Sequence, residues 1–185
     1  MKRLGFLKFG IACYLLFLAT YAAMACFVGN LFLPRTIDHA AQATAGPTAL
    51  LINLGLVLLF GLQHSVMARP GFKKAWTRYI PAPIERSTYV LFSCLACMVL
   101  LWQWRPIPIV VWDVSAPAAR AVLWSLFGLG WLSVPVVSLM IHHFDLFGVR
   151  QVWLYYRGRE YSALPFRTPY LYRYVRNPLY LAWAL

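Results

Sequence analysis

The sequence predicts an all-α fold: a polytopic transmembrane helix bundle with four full transmembrane helices and the start of a fifth. Three observations predict it. Of 185 residues, 62% are hydrophobic and 12% are charged, with a mean hydropathy of +0.64, whereas an ordinary soluble domain is about a quarter charged. Apolar runs recur along the chain, most near the roughly 20 residues that ~30 Å of hydrocarbon requires at about 1.5 Å rise per residue. The Lys and Arg residues sit between these runs. In lipid a backbone must satisfy its own hydrogen bonds, so the runs are helices rather than strands.

The first run spans about Gly10 to Leu33 and is stopped by Pro34. Lys2, Arg3 and Lys8 ahead of it resemble the start of a signal peptide, but the run is too long for an h-region and lacks a small-residue cleavage site, so it counts as a helix. The second run covers about residues 47–68. The third begins near Thr88 and weakens at Arg105 and Pro106, giving about 88–104. The fourth covers about 121–141. Residues 142–177 form a long connector rich in Arg and aromatics, with Pro165 and Pro169. Loops of that length in a compact domain are usually functional or disordered, and the aromatic content argues against disorder. Pro178 then opens a fifth run that stops at Leu185. So short a run cannot span a bilayer, so the physiological chain is expected to continue. All 185 residues read as a single membrane domain, without internal repeat or low-complexity tract.

Seventeen Lys and Arg against five Asp and Glu give a formal charge of +12, which in a soluble chain would suggest nucleic-acid binding. Between apolar runs the same charges set topology instead, and no nucleic-acid partner is expected. Lys2, Arg3 and Lys8, then Arg69, Lys73, Lys74, Arg78 and Arg86, then Arg150, Arg157, Arg159, Arg167, Arg173 and Arg176 all fall on one side of the alternating loops. Only Arg35, Arg105 and Arg120 fall on the other. The positive-inside rule therefore puts the N-terminus and the large basic loops in the cytoplasm. A minority of these arginines could serve an anionic ligand or lipid headgroups. Eight Trp and eleven Tyr suit the water–bilayer boundary. Cys13, Cys26, Cys94 and Cys97 lie inside apolar runs, where small thiols pack; the Cys94–Cys97 pair at i, i+3 is the alternative redox or metal reading, and no metal is expected.

Polar groups at membrane depth are costly and are functional candidates by default. Gln63 and His64 fall about one turn before the inner end of the second helix. His142, His143, Phe144 and Asp145 follow the fourth, and Arg176, Asn177 and Pro178 open the fifth on the same side. Three helices thus offer polar residues at one level. Other readings stand beside this one: His64 as interhelical glue, His142 and Asp145 as a local pair or cap, or a metal held by His64, a second His and Asp145. Asn177 suits an N-cap and Pro178 the first helical position, so free N–H groups there can hold an anion, with Arg176 adding charge.

Arg176 to Tyr180 resembles the Arg-His-Pro-x-Tyr signature of isoprenylcysteine carboxyl methyltransferases and NnrU-like relatives, with Asn177 where His is usual. Gln63-His64-Ser65-Val66-Met67-Ala68-Arg69, Pro83-Ile84-Glu85-Arg86-Ser87-Thr88-Tyr89 and His143-Phe144-Asp145-Leu146-Phe147-Gly148 look like the bacterial methanethiol S-methyltransferase family. The resemblance runs from about Asn53 onward; the family's later acidic motif is absent. It implies S-adenosyl-L-methionine as methyl donor, a small thiol as acceptor, and the bacterial cytoplasmic membrane, with its lipids, as the setting. It carries over Arg176, Asn177, Pro178 and Tyr180 as cofactor-binding positions. Tyr174, Tyr180 or Trp183 could stack on adenine or face the sulfonium. A thiolate is the nucleophile, and His64 and His143 are candidates for accepting the thiol proton, with Asp145 orienting a His. The alternatives are a related methyltransferase acting on a prenylcysteine or lipid, and a transporter or scaffold, for which polar residues would be spread through the membrane depth.

Overall fold

The computed structural model describes residues 1–39, 45–107, 109–110, 112–165 and 170–184. Arg167 and Pro169 of the connector, and Leu185, lie outside the described residues. The elements are α1 (Lys2–Val28), α2 (Gly46–Ala68), α3 (Pro70–Trp76), α4 (Ala82–Gln103), α5 (Pro117–Met140), α6 (His143–Leu146), α7 (Val149–Tyr156), a 3-10 turn (Tyr170–Arg173) and α8 (Pro178–Ala184). Among the described residues there is no strand, and α1, α2, α4 and α5 are long and apolar enough to cross a membrane. At 22 to 27 residues each meets the length the bilayer demands.

Local chemistry sets the boundaries. Proline stands in the first turn of α2, α3, α4 and α5, where its missing N–H costs nothing and its φ is already helical. Arg69 is extended (φ −71°, ψ 140°) because the residue before Pro70 is pushed out of the helical region, which separates α2 from α3. Several ends differ from the sequence expectation: α1 begins at Lys2 rather than Gly10 and α5 at Pro117 rather than about 121, and two further shifts have a local cause. α1 stops at Val28, not at Pro34, because Asn30 adopts the left-handed region (φ 55°), with Leu31 N–H donating to Cys26 C=O (2.7 Å) and Asn30 N–H to Phe27 C=O (3.4 Å). This is a Schellman ending, for which asparagine is the usual substitute for glycine. α4 starts at Ala82 rather than near Thr88, with Pro83 and Glu85 favouring its first turn.

The chain divides into two compact units, Met1–Ile109 with Phe147–Tyr161, and Val110–Leu146 with Ser162–Leu185. In the first unit, α4 packs against α1, α2 and α7. Its core is Met67, Tyr89, Val90 and Cys94, flanked by Leu16, Phe17, Phe72, Trp76 and Phe147. One end of the α2–α4 pair is clasped by Asn53, whose Nδ2 donates to Arg105 C=O (2.7 Å) and whose Oδ1 accepts from Arg105 N–H (2.9 Å). α7 lies antiparallel along α1. Phe6 stacks on Tyr155 (5.3 Å), Val152 faces Gly10, and Phe147 stacks on Phe17 (3.9 Å). Part of the long connector is therefore packed against the first membrane helix. In the second unit, α8 packs along α5, burying Pro178 and Ala182 and setting Trp183 edge-on to Trp131 (6.0 Å).

Candidate functional site

His64 belongs to the first unit and the other eight sequence-predicted site residues to the second. His64 projects from α2 one turn before its end, about 6 Å along the axis from Ala68. Phe60, one turn back, stacks on its ring (5.5 Å), and Tyr89 of α4 lies beside it at 5.3 Å. The Tyr89 hydroxyl is within hydrogen-bonding distance of both ring nitrogens, 3.1 Å from Nδ1 and 3.0 Å from Nε2, and Ser93 Oγ is 3.3 Å from Nδ1. Tyr89 and Ser93 are four residues apart, so one face of α4 presents both to His64. Arg86, one turn earlier on that helix, sets its guanidinium 5.0 Å from the Tyr89 ring. Neighbouring Gln63 donates to Met67 Sδ (3.1 Å), while its Oε1 is buried without a hydrogen-bond partner. Here α2 and α4 supply an imidazole, a phenol, a hydroxyl and a nearby positive charge.

In the second unit, α5 ends at Met140 and His142 takes the left-handed conformation (φ 77°), turning the chain back on itself. The next residue, His143, is thereby returned to α5, where its Nδ1 meets Ser138 Oγ at 2.7 Å; the imidazole is 6% exposed. Ser138 Oγ also lies 2.8 Å from Pro135 C=O, and its one proton serves that carbonyl or His143 Nδ1. Burial holds the His143 pKa below its ordinary 6.5 and keeps the ring neutral. Asp145 lies in the same short helix, its N–H donating to His142 C=O (2.9 Å). His142 and Asp145 are thus joined through the backbone, as a turn closure.

Asn177 takes the N-cap place of α8, its carbonyl accepting from Tyr180 N–H (3.1 Å). Arg176 and Asn177 are exposed, and Pro178 is fully buried. Tyr174 and Tyr180 are 82% and 72% exposed, and neither ring stacks on another among the described residues. Arg176, Tyr174 and Tyr180 are thus all open to solvent or lipid at the start of α8. Among the described residues no group of three His, Cys, Asp or Glu is placed to hold a metal.

The chain is 51% identical to a methanethiol S-methyltransferase of Crocosphaera subtropica over 185 residues, covering all of this chain and 72% of the relative. It is 49% identical to a protein of that name from Mycobacterium tuberculosis, again over the whole chain and 75% of the relative. The chain belongs to the methanethiol S-methyltransferase family. Nurim of Xenopus laevis is a more distant relative of the family member described here, 32% identical over 83% of this chain and 56% of its own length. No family model matches the chain, and no solved structure is similar to it.

Three partners within this family member escaped the sequence reading: Tyr89 and Ser93 at His64, and Ser138 at His143. The Tyr89–Ser93 spacing within an apolar run was a usable signal, and Tyr89 closes one of the resembling segments. Ser138 precedes its histidine by five residues, off the helical neighbour spacing, and meets it only because His142 reverses the backbone.

Proposed function

We propose that the chain is an S-adenosylmethionine-dependent methyltransferase that converts methanethiol to dimethyl sulfide. The observation that carries this reading is 51% identity, over the whole chain, to a methanethiol S-methyltransferase. S-adenosylmethionine supplies an electrophilic methyl group on a sulfonium. Arg176 holds the donor's carboxylate, and Tyr174 and Tyr180 offer their faces to adenine or the positive sulfur, with Trp183 braced against Trp131 beside them. The acceptor thiol must lose its proton, because the thiolate is the nucleophile. His64 is the first unit's candidate for taking that proton, with Ser93 Oγ 3.3 Å from Nδ1 and the Tyr89 hydroxyl 3.0 Å from Nε2. The Arg86 charge beside Tyr89 favours the anion formed. His143 is the second candidate base, its ring held by Ser138; Asp145 supports the turn that orients it. In balance, the thiol proton passes to a histidine, the bond from the thiolate sulfur to the methyl carbon forms as the sulfonium's bond to that carbon breaks, and S-adenosylhomocysteine would leave with the electron pair.

The same reading sets the protein in a bacterial cytoplasmic membrane with its N-terminus inside, on the strength of its charge distribution. Headspace gas chromatography of cells expressing the protein and supplied with methanethiol tests the reaction. Dimethyl sulfide should accumulate, and His64→Ala should lower turnover roughly 100-fold or more if His64 is the base. Binding of S-adenosylmethionine without dimethyl sulfide would remove methanethiol as acceptor; loss confined to His143→Ala would transfer the base to the second unit.

A further inference from the structure

The antiparallel docking of α7 on α1 joins two basic segments that lie at opposite ends of the sequence. Gly10 makes this possible: a Cβ there would stand 2.5 Å from Val152 Cγ2, so the helices approach to a distance that only glycine permits. At the other end of the contact α7 finishes in a Schellman motif, with Gly158 left-handed (φ 70°), Arg159 N–H donating to Leu154 C=O (2.9 Å) and Gly158 N–H to Tyr155 C=O (3.1 Å). That turn carries Arg157 and Arg159 on either side of Gly158, and Arg3 Nη1 lies 2.8 Å from where a Gly158 Cβ would be. Arg3 also lies over Tyr155 (5.8 Å), Lys2 over Phe6 (5.8 Å) and Arg157 over Trp153 (5.8 Å).

Arg3 therefore reaches this helix end, Arg157 and Arg159 flank Gly158 in the chain, and Lys2 stands over Phe6 on the neighbouring helix. A helix C-terminus offers about half a negative charge, and the one nearby carboxylate in sequence is Glu160. Among the described residues none of the four is ion-paired. Capping the helix uses a fraction of this charge and leaves an excess that needs a counter-anion. The cluster sits at the start of α1, about 10 Å along the axis before the apolar run opens at Gly10. That is headgroup depth. Trp153 and Tyr156, half-exposed beside it, are the residue types that settle at this boundary.

We infer that Arg3, Arg157 and Arg159 form a binding site for the phosphate of an anionic phospholipid, with Lys2 adding charge and Trp153 lying against the lipid's glycerol region. The site is independent of the proposed reaction. The chain purified from vesicles containing equal phosphatidylglycerol and phosphatidylcholine should retain phosphatidylglycerol selectively, as counted by native mass spectrometry. Arg3→Gln/Arg157→Gln/Arg159→Gln should lower that preference by roughly 100-fold, each arginine contributing about fivefold. Arg157→Gln/Arg159→Gln keeps the Arg3–Tyr155 contact and should show an intermediate loss, which covers the case in which the triple variant unfolds. Lys73→Gln/Lys74→Gln, on α3, should leave the preference intact. Equal retention by wild type and the double variant overturns the site, as does an equal loss in the α3 variant, which would mean diffuse attraction. Displacement of the lipid by inorganic phosphate would assign the cluster to a soluble anion instead.

Discussion

Replacing Gly148 with alanine should be among the most damaging single-methyl additions in the first unit. Gly148 is the N-cap of α7 at φ 86°, and an added Cβ would lie 2.7 Å from both the backbone N and the Oγ of Ser87, itself fully buried in α4. The left-handed backbone costs an L-residue roughly 1–2 kcal/mol, and forcing a methyl into a packed interior costs about 1–3 kcal/mol more. The sum is roughly 2–5 kcal/mol. Gly10→Ala meets Val152 side-chain atoms at 2.5 and 3.0 Å and has no backbone penalty, so only the packing cost of about 1–3 kcal/mol applies. The two positions also differ in what relieves them. Val152→Ala removes both atoms that crowd Gly10→Ala and should restore most of its stability. Ser87→Ala removes Oγ but leaves the backbone nitrogen facing Gly148→Ala, and should restore little. Cys13, Cys94 and Cys97 are buried free thiols, so a thiol-reactive fluorophore followed during heating in detergent reports unfolding directly. A Gly148→Ala protein within about 0.5 kcal/mol of wild type, or one rescued by Ser87→Ala, would refute the close α4–α7 contact.

Two further expectations concern the polar groups. His143 has a pKa below 6.5 in the folded state because its charge is desolvated; the unfolded chain binds the proton first as pH falls. Its contribution is therefore unpenalised above 6.5, and stability is lost as pH drops from there through the depressed folded pKa. Melting temperature measured from about pH 7.5 to about 5 should fall, and should fall less in His143→Gln; an equal pH dependence in both refutes the assignment. Asn53→Leu leaves Arg105 N–H and C=O without their partners in apolar surroundings, at a cost of about 1–3 kcal/mol, and thermal unfolding indistinguishable from wild type would show that the clasp is not formed.

Much of the architecture was written in the sequence because membrane physics leaves few choices. Apolar runs of about 20 residues must be helices, and each of the four appears, the second with both ends where the sequence puts them, near Pro47 and Ala68. Where the boundary shifted, at Asn30 and Ala82, the deciding signals were capping residues rather than hydropathy, which is nearly blind to a helix end inside an apolar stretch. Family membership was legible from motifs in order along the chain. The partners of those motifs were not. Tyr89 reaches His64 across 25 residues, and Arg3 meets the Gly158 turn across most of the chain, through the antiparallel seating of α4 on α2 and of α7 on α1. Sequence periodicity specifies which face of a helix is apolar, but the helix laid on that face is chosen by side-chain volumes. Gly10 and Gly148 accept Val152 and Ser87 at distances no larger residue allows, and that steric fit is a property of the folded chain.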